Sequence, residues 1–451
     1  MVHTQSPWLY ELKKKRKPYT LQLPFPTTDV TIIGGGIAGI STAYYILTQT
    51  HKNVILLEKN VIASGATGHN AGQIVTYFER PIAEIIRQYG SKLAIEGQLA
   101  INSGWDLLEE IQKTVSLQTP IHIFAGLSGC VSYKSVIEHL ENRYDRPEIS
   151  HQKEFCFIAD DCMFLSKIPG KFSDLYTILP RKIILDLLET RDTNYSVAFT
   201  SKKGCMNSAA FSEEVANYLL RKYANRFQIA ENMHVSELLL KKHNADIILN
   251  DTYTLTSAKI ILCTNGFKDI KIRNKAGKAI SNEYHEALRG KQGFMKAYTF
   301  VDDKKPTAVS YYNTDDKPYF YLTRRPSPFS RDNTYNLVAV GGPEYFLADK
   351  TTYRQESVYP EEIRKQIDFF MQWTLMNAFR KRYEHIFLWH GIMGYTKNGI
   401  RLIGPDKYNP VLLYNLGCNG VGILPSIFGG KKIAQFLNNQ VYTKSIFDPY
   451  I

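Results

Sequence analysis

Apolar positions along the chain follow two spacings, and each predicts its own kind of element. Short, largely apolar runs at 30–33, 53–57 and 259–263 read as strands covered on both faces, the pattern of a mostly parallel sheet. Between 82 and 111 apolar residues recur at helical spacing. A further βα-type region spans 206–267, with a helix at 212–223, strands near 227–229, 247–249 and 252–255, and the buried strand at 259–263. The stretch 293–340 is instead rich in Tyr and Phe and predicts an antiparallel sheet of a different domain. Residues 361–383 predict an amphipathic helix with Ile363, Ile367, Phe370, Trp373 and Leu375 largely on one side. Packing on a sheet is favoured for it over a membrane interface. A strand at 411–415 and a helix at 424–438 end the pattern.

No repeat, low-complexity tract or Pro/Gly/Ser-rich linker divides the chain into halves, so its domains are interleaved. The pattern gives an α/β class: a Rossmann-like dinucleotide-binding domain with a mostly parallel sheet, over 28–104, 205–285 and 386–451. An α+β substrate domain on an antiparallel sheet takes 105–204 and 286–385, and 1–27 form an N-terminal arm.

The first strand runs directly into Gly34, Gly36 and Gly39. In a dinucleotide site the first glycine makes a tight turn, the second lets backbone approach a pyrophosphate, and the third lets the next helix pack on the strand. The helix N-terminus then faces the phosphates with its N–H groups. The second strand ends at Glu58, 58 − 39 = 19 residues past the last glycine, where a ribose-binding carboxylate belongs. Residues 30–50 carry no charge, but three glycines at this spacing argue against a membrane span. A strand, turn and helix without a ligand is the plainer alternative, and Glu58 argues against it. Near the C-terminus LGCNGVGI places Gly417, Gly420 and Gly422 between a strand and the last helix. That helix start suits the partial negative charge of a reduced flavin edge. Two glycine-rich sites together with Glu58 point to FAD rather than free NAD.

At 451 residues the chain exceeds one ordinary core, and 44% apolar with 22% charged residues is the composition of folded soluble protein. Lys and Arg total 55 against 43 Asp and Glu, a net charge of +12 spread along the chain, which reads as solvated surface. The two basic clusters, 13–17 and 380–382, are not interleaved with aromatics, so no nucleic-acid partner is expected. Nor is a signal peptide or a transmembrane segment. Cys130, Cys156, Cys162, Cys205, Cys263 and Cys418 are scattered without CxxC or metal-ligand spacing. They read as reduced thiols of a cytoplasmic protein, and no metal is expected.

Four segments, in order, resemble the D-amino-acid-oxidase-like flavoproteins, which include glycine oxidase, sarcosine oxidase and γ-glutamylputrescine oxidoreductase. They are GGGIAG at 34–39 with Glu58, SGATGHNAGQ at 64–73, ILCTNGF at 261–267, and GYTKNGIRLIGP at 394–405 followed by LGCNGVGI. The second of these and the SPWLYEL arm at 6–12 are most similar to the γ-glutamylputrescine oxidoreductase branch. GCMNSAAF from Gly204 is similar to the family's GxLNPxxL, and PYFYLTRR at 318–325 resembles its strand facing the flavin.

The resemblance implies FAD contacts from Gly34, Gly36, Ile37, Ala38, Gly39, Glu58 and Lys59. It adds Ser64, Gly65, Ala66, Thr67, Asn70, Ala71, Gly72 and Gln73, in a loop beneath the flavin ring, and Val235 against the adenine. Thr264, Gly266, Gly417, Asn419, Gly420, Val421, Gly422 and Ile423 complete the set. Sarcosine oxidases attach FAD through a Cys just before the tyrosine of the terminal motif. Here Gly394 precedes Tyr395, so the resemblance implies non-covalent FAD. His69 stands where the family has Arg, and Ala71 where it has Gly. His69 reads as a packing or hydrogen-bonding residue ahead of a proton-handling one. Pocket candidates are His69, Tyr321, Arg324 and Met393, with no single catalytic side chain singled out. Taken one at a time, Tyr311, Tyr312, Tyr319 and Tyr321 are better read as core.

The expected activity is oxidation of the C–N bond of a small-molecule amine. A hydride passes from the α-carbon to the flavin, the imine is hydrolysed, and oxygen or another acceptor takes the electrons. In glycine and D-amino acid oxidases the segment matching 391–396 carries an arginine that clamps the substrate carboxylate. This chain has Gly391, Ile392, Met393 and Gly394. The expected substrate is therefore an amine without a carboxylate on its reacting carbon, unless Arg324 reaches the same place. Two alternatives stand beside this one: an FAD-dependent amino acid dehydrogenase passing electrons to a quinone or protein, and a flavin-binding protein without turnover.

Overall fold

A computed structural model describes residues 1–449 apart from 13–15, 22–26, 150–153, 275–287, 302–303, 314–318, 328, 330–334, 348–352, 375–382 and 439–442. Among these residues two sheets carry the fold. The nine-stranded sheet is built around Thr28–Ile33, which pairs in parallel with Val54–Leu57 on one side and Tyr253–Leu262 on the other. Phe227–Ala230 and Leu412–Leu416 extend it in parallel. Val30, Ile32, Leu56, Ile260 and Leu413 are buried, as strands covered on both faces require. These strands all end at one edge of the sheet, and the glycine loops lie there.

The strands expected at 252–255 and 259–263 are one continuous strand, Tyr253–Leu262. Its first half pairs with Ala245–Leu249 and its second with Thr28–Ile33. The helix expected at 212–223 starts earlier, at Ser208, because the Asn207 side chain accepts from the N–H groups of Ala209 and Ala210. The region 82–111 is not one helix. It is Ile82–Tyr89, Ser91–Asn102 and Gly104–Val115, interrupted at Gly90, whose φ is 84°, and at Ser103. The helices Ile37–Gln49 and Ile423–Leu437 touch backbone to backbone, where a methyl group on Gly430 would lie 2.8 Å from the Thr42 nitrogen.

The eleven-stranded sheet places Ile386–Tyr395, Arg289–Val301, Tyr335–Phe346, Phe320–Pro326 and Thr307–Tyr312 side by side and antiparallel, as expected for 293–340. His122–Cys130 joins in parallel, followed by Val197–Cys205. The sheets depart from the sequence division at two places. Ile386–Tyr395, grouped there with the dinucleotide-binding segments, is a strand of this second sheet. Residues 105–115, grouped with the substrate domain, continue the helix Gly104–Val115 and bury Trp105, Leu107, Leu108 and Ile111 in one core with Leu424 and Ile427 of the C-terminal helix.

The helix Glu361–Thr374 buries Ile367 and Met371, and Ile363 and Phe370 pack beside them. Trp373, by contrast, is 47% exposed. Ten residues past Ile363, at 100° per residue, it lies about 80° from Ile363, on the side away from Met371. Leu375 and the basic cluster 380–382 fall outside the described residues, as do 13–15 of the other cluster. Arg16, in that cluster, is not free surface charge, because it bonds Glu213 and Glu231 at 2.7 and 2.6 Å. No helix among the described residues is long and apolar enough to cross a membrane.

Candidate dinucleotide and substrate site

The first strand delivers the chain to Gly34 at φ 110°, where a Cβ would sit 2.6 Å from the Cys263 carbonyl oxygen. Only glycine fits so close a pass of two strand ends. The Gly35 N–H donates to one oxygen of Glu58 at 2.7 Å, and the Asn60 N–H donates to the other at 2.9 Å. Burial raises the Glu58 carboxyl pKa, and those two N–H groups pull it back. Gly36 caps the next helix without a side chain of its own. Thr67 Oγ1 accepts from the Ile37 N–H at 2.9 Å instead.

The loop 64–73 lies beside this helix start, held from below by the N-terminal helix Pro7–Glu11. Trp8 Nε1 donates to the Asn70 carbonyl at 2.6 Å, the Ser6 hydroxyl donates to the Gly68 carbonyl, and Gly72 lies under the Trp8 ring. Asn70 fixes the loop from within, through the Thr67 carbonyl at 3.0 Å and the Gly72 N–H at 2.7 Å. The SPWLYEL arm is therefore the floor of the loop, a role its sequence does not reveal.

A cavity of about 530 Å³ runs from the glycine loop into the space between the sheets. Gly34, Gly36, Ile37, Ala38, Glu58, Lys59 and Val235 line one part of it. Ser64, Gly65, Ala66, Thr67, His69, Asn70, Ala71, Gln73 and Thr264 follow, with Gly420, Val421, Gly422 and Ile423 at the start of the last helix. Ser64 Oγ, Gln73 Nε2 and Thr264 Oγ1 are buried without a hydrogen-bond partner among the described residues. Orphaned polar atoms along a groove that begins at a glycine-capped helix suit a long polar ligand such as FAD. Five expected contacts support this wall from behind. Gly39 admits the Gly34 carbonyl, Gly72 sits under Trp8, and Gly266 lies against the backbone of Met393 and Gly394. Gly417 turns at φ 79° beside Thr396, and the Asn419 side chain accepts from the Thr396 N–H at 2.8 Å.

Three of the four pocket candidates, His69, Tyr321 and Met393, line the cavity. Arg324 does not. Its guanidinium makes two bonds to Glu189, at 2.7 and 2.8 Å, so it is no carboxylate clamp. Both ring nitrogens of His69 are engaged, Nδ1 with the Gly65 carbonyl and Nε2 with the Gln355 side-chain nitrogen, each at 2.9 Å. If the Gln355 amide donates, Nδ1 carries the proton and the ring is neutral. Burial also lowers its pKa. This favours the hydrogen-bonding reading of His69.

The inner end of the cavity was not legible as a group in the sequence. Tyr77, Tyr319, Tyr321 and Tyr395 line it with Met295, Met393, Glu79 and Glu344. Tyr321 donates to Met295 Sδ at 3.2 Å. Tyr319 and Tyr321 thus serve a pocket, whereas Tyr311 is core, fully buried and donating to the Leu188 carbonyl at 2.7 Å. Burial raises all four lining tyrosines, so their hydroxyls stay protonated at neutral pH. Burial and the charge of Glu344 push the Glu79 carboxyl up to about 7. Glu344 itself is paired with Lys291. Among the described residues no cluster of His, Cys, Asp and Glu is arranged to hold a metal.

The chain has a curated relative in the γ-glutamylputrescine oxidoreductase of Escherichia coli K12, 35% identical over 88 residues, which are 19% of this chain and 20% of that protein. The match thus spans about one fifth of the relative's length. Among solved structures, glycine oxidase from Geobacillus kaustophilus is 13% identical with a TM-score of 0.65, over 94% of this chain and 98% of that one. L-proline dehydrogenase from P. horikoshii is 14% identical with a TM-score of 0.68, over 94% and 97%. At such identities the likeness is one of fold. Residues 29–436 match the FAD dependent oxidoreductase family, and the chain belongs to that family.

Proposed function

We propose that this flavoprotein oxidises the C–N bond of an amine that has no carboxylate on its reacting carbon. The observation that carries the reading is the continuity of the cavity from the glycine loop to a chamber of tyrosines, methionines and carboxylates, with Met393 on its wall. An unpaired substrate carboxylate there would be costly to desolvate, and Arg324 is held by Glu189. Arg354 and Arg401 also lie on the wall. Arg401 is spent on Asn415, and Arg354 is exposed rather than buried in the chamber.

Bound FAD would supply the hydride acceptor. The helix start at Gly36–Ile37 would face the pyrophosphate, Glu58 the ribose and Val235 the adenine, with Ser64–Gln73 and Gly420–Ile423 beside the flavin. The protein's own work is then to orient a neutral amine, exclude water and stabilise negative charge at the helix start. The name of the γ-glutamylputrescine oxidoreductase relative supports an amine. Oxygen or another acceptor would receive the electrons, and six unpaired cysteines support a cytoplasmic protein.

The test is anaerobic flavin bleaching by primary and secondary amines, compared with glycine, sarcosine and D-alanine. The amines are expected to bleach faster. Faster reduction by the amino acids would overturn the substrate class and leave the family untouched.

A further inference from the structure

The charged groups at the inner end of the cavity do not balance. Glu344 is paired with Lys291, whose ammonium also lies 4.9 Å over the Tyr395 ring and 5.2 Å over that of Phe346. The Glu79 carboxylate has no hydrogen bond or ion pair among the described residues. Protein atoms crowd around it, but its side chain is exposed to the open cavity that it lines. Its Oε1 and the Tyr395 hydroxyl both approach the backbone at Gly420, where a methyl group would lie 2.5 and 2.8 Å from them. Ionised, Glu79 and Glu344 face a single nearby cation, Lys291, which is already paired with Glu344, so the two carboxylates keep a net negative charge. The rings around it offer π-faces and hydroxyl oxygens, both of which favour an organic cation over water alone.

We propose that the substrate carries a second, non-reacting ammonium, as α,ω-diamines and longer polyamines do, and that Glu79 is the anchor for it. The proposal rests on the amine-oxidising reading above. The cation is assigned to a nitrogen other than the reacting one. A carboxylate held against the reacting nitrogen would favour its protonated form, which has no lone pair to assist hydride loss from the adjacent carbon. Glu79 is thus a specificity-determining residue that positions the chain of the amine. Tyr77, Tyr319, Tyr321 and Tyr395 form the wall along which its methylenes lie.

The experiment compares putrescine with butylamine, which matches it in carbon chain but lacks the second ammonium. Two readouts are taken on the FAD-loaded enzyme: kcat/KM, and the dissociation constant from calorimetry under anaerobic conditions. Wild type is expected to prefer putrescine by at least about tenfold in both, the scale of a partly desolvated charge pair. Glu79→Gln should bring both ratios close to one, and Glu79→Asp should keep part of the preference. The flavin spectrum and Tm of each variant establish that it is folded and loaded. Equal handling of the two ligands by wild type, or an undiminished preference in Glu79→Gln, would overturn the proposal. If no amine reduces the flavin, the amine-oxidising reading fails. The calorimetric ratio then still decides whether Glu79 binds an ammonium.

Discussion

The Gly35 N–H and the Glu58 carboxylate are joined by a 2.7 Å hydrogen bond across 23 residues of sequence. The acid that ends the second strand therefore also fixes the loop that ends the first. Glu58→Gln keeps one carbonyl acceptor but cannot receive both the Gly35 and Asn60 N–H groups. Glu58→Ala receives neither, at about 1–3 kcal/mol for the part-buried Gly35 N–H left unpaired, whereas the exposed Asn60 N–H turns to water. FAD titration and thermal unfolding of the two variants are expected to rank wild type, Gln and Ala in that order, in affinity and in Tm. An alanine variant that matches wild type in both would show that Glu58 neither shapes the loop nor meets the cofactor.

Gly36→Val is expected to abolish FAD binding. Even the first added carbon would lie 2.8 Å from Thr67 Oγ1, the atom that receives the Ile37 N–H. The branched side chain then intrudes where backbone should meet phosphate. A valine variant that retains stoichiometric flavin absorbance would refute this placement of the pyrophosphate.

The glycine loops and the parallel strands were legible in the sequence because each is a local pattern: an apolar run, a glycine spacing, an acid at a fixed offset. The roles of Arg324, Glu79 and Trp8 were not, since each depends on a partner far away in the chain. Arg324 looked available until Glu189, on a different segment, engaged both its terminal nitrogens. Glu79 lies in a loop, and only the register of the second sheet brings Tyr319, Tyr321 and Glu344 to it. Boundaries slipped for the same reason. The assignment of 386–395 turned on its pairing with Arg289–Val301, which apolar periodicity cannot reveal.

The contact between the helices Ile37–Gln49 and Ile423–Leu437 depends on Gly430, whose missing side chain lets it approach the backbone of Ser41 and Thr42. Gly430→Val would force a methyl group to within 2.8 Å of backbone atoms, in a place without a flexible side chain to give way. A loss of about 3 kcal/mol or more in chemical denaturation is expected, with a low Tm in the absence of added FAD. Unchanged stability would mean that the two helices can separate at no cost.

His139 packs on Phe199 with ring centroids 3.8 Å apart, and its Nε2 is buried without a hydrogen-bond partner among the described residues. Burial, with the Arg143 charge adding to it, lowers its pKa to about 4. In the unfolded chain the same ring titrates at about 6.5. A lowered native value means that the stabilising contribution is fully present above pH 6.5 and is lost as pH falls through 4. His139→Phe removes the titrating group, so wild type should lose up to about 3 kcal/mol more than the variant between pH 7 and pH 4. Denaturant unfolding of both proteins at the two pH values measures this difference. Parallel losses would show that the ring is protonated at little cost.

Cys263 and Cys418 both lie on the cavity wall, so covalent attachment of the flavin has to be weighed at them as well as at Gly394, which precedes Tyr395. Burial pushes the Cys263 thiol up to about 12 and raises that of Cys418, although the backbone N–H of Gly420 and the Arg401 charge oppose the shift at Cys418. A thiol needs its thiolate form to add to a flavin methyl or ring carbon, and thiols raised in this way hold almost none at neutral pH. The cofactor is therefore expected to be dissociable. Acid precipitation of the yellow protein should leave the flavin in the supernatant, and Cys418→Ser should release it equally well. Colour that remains with the pellet in wild type and moves to the supernatant in Cys418→Ser would identify a covalent link at that sulfur and overturn the expectation.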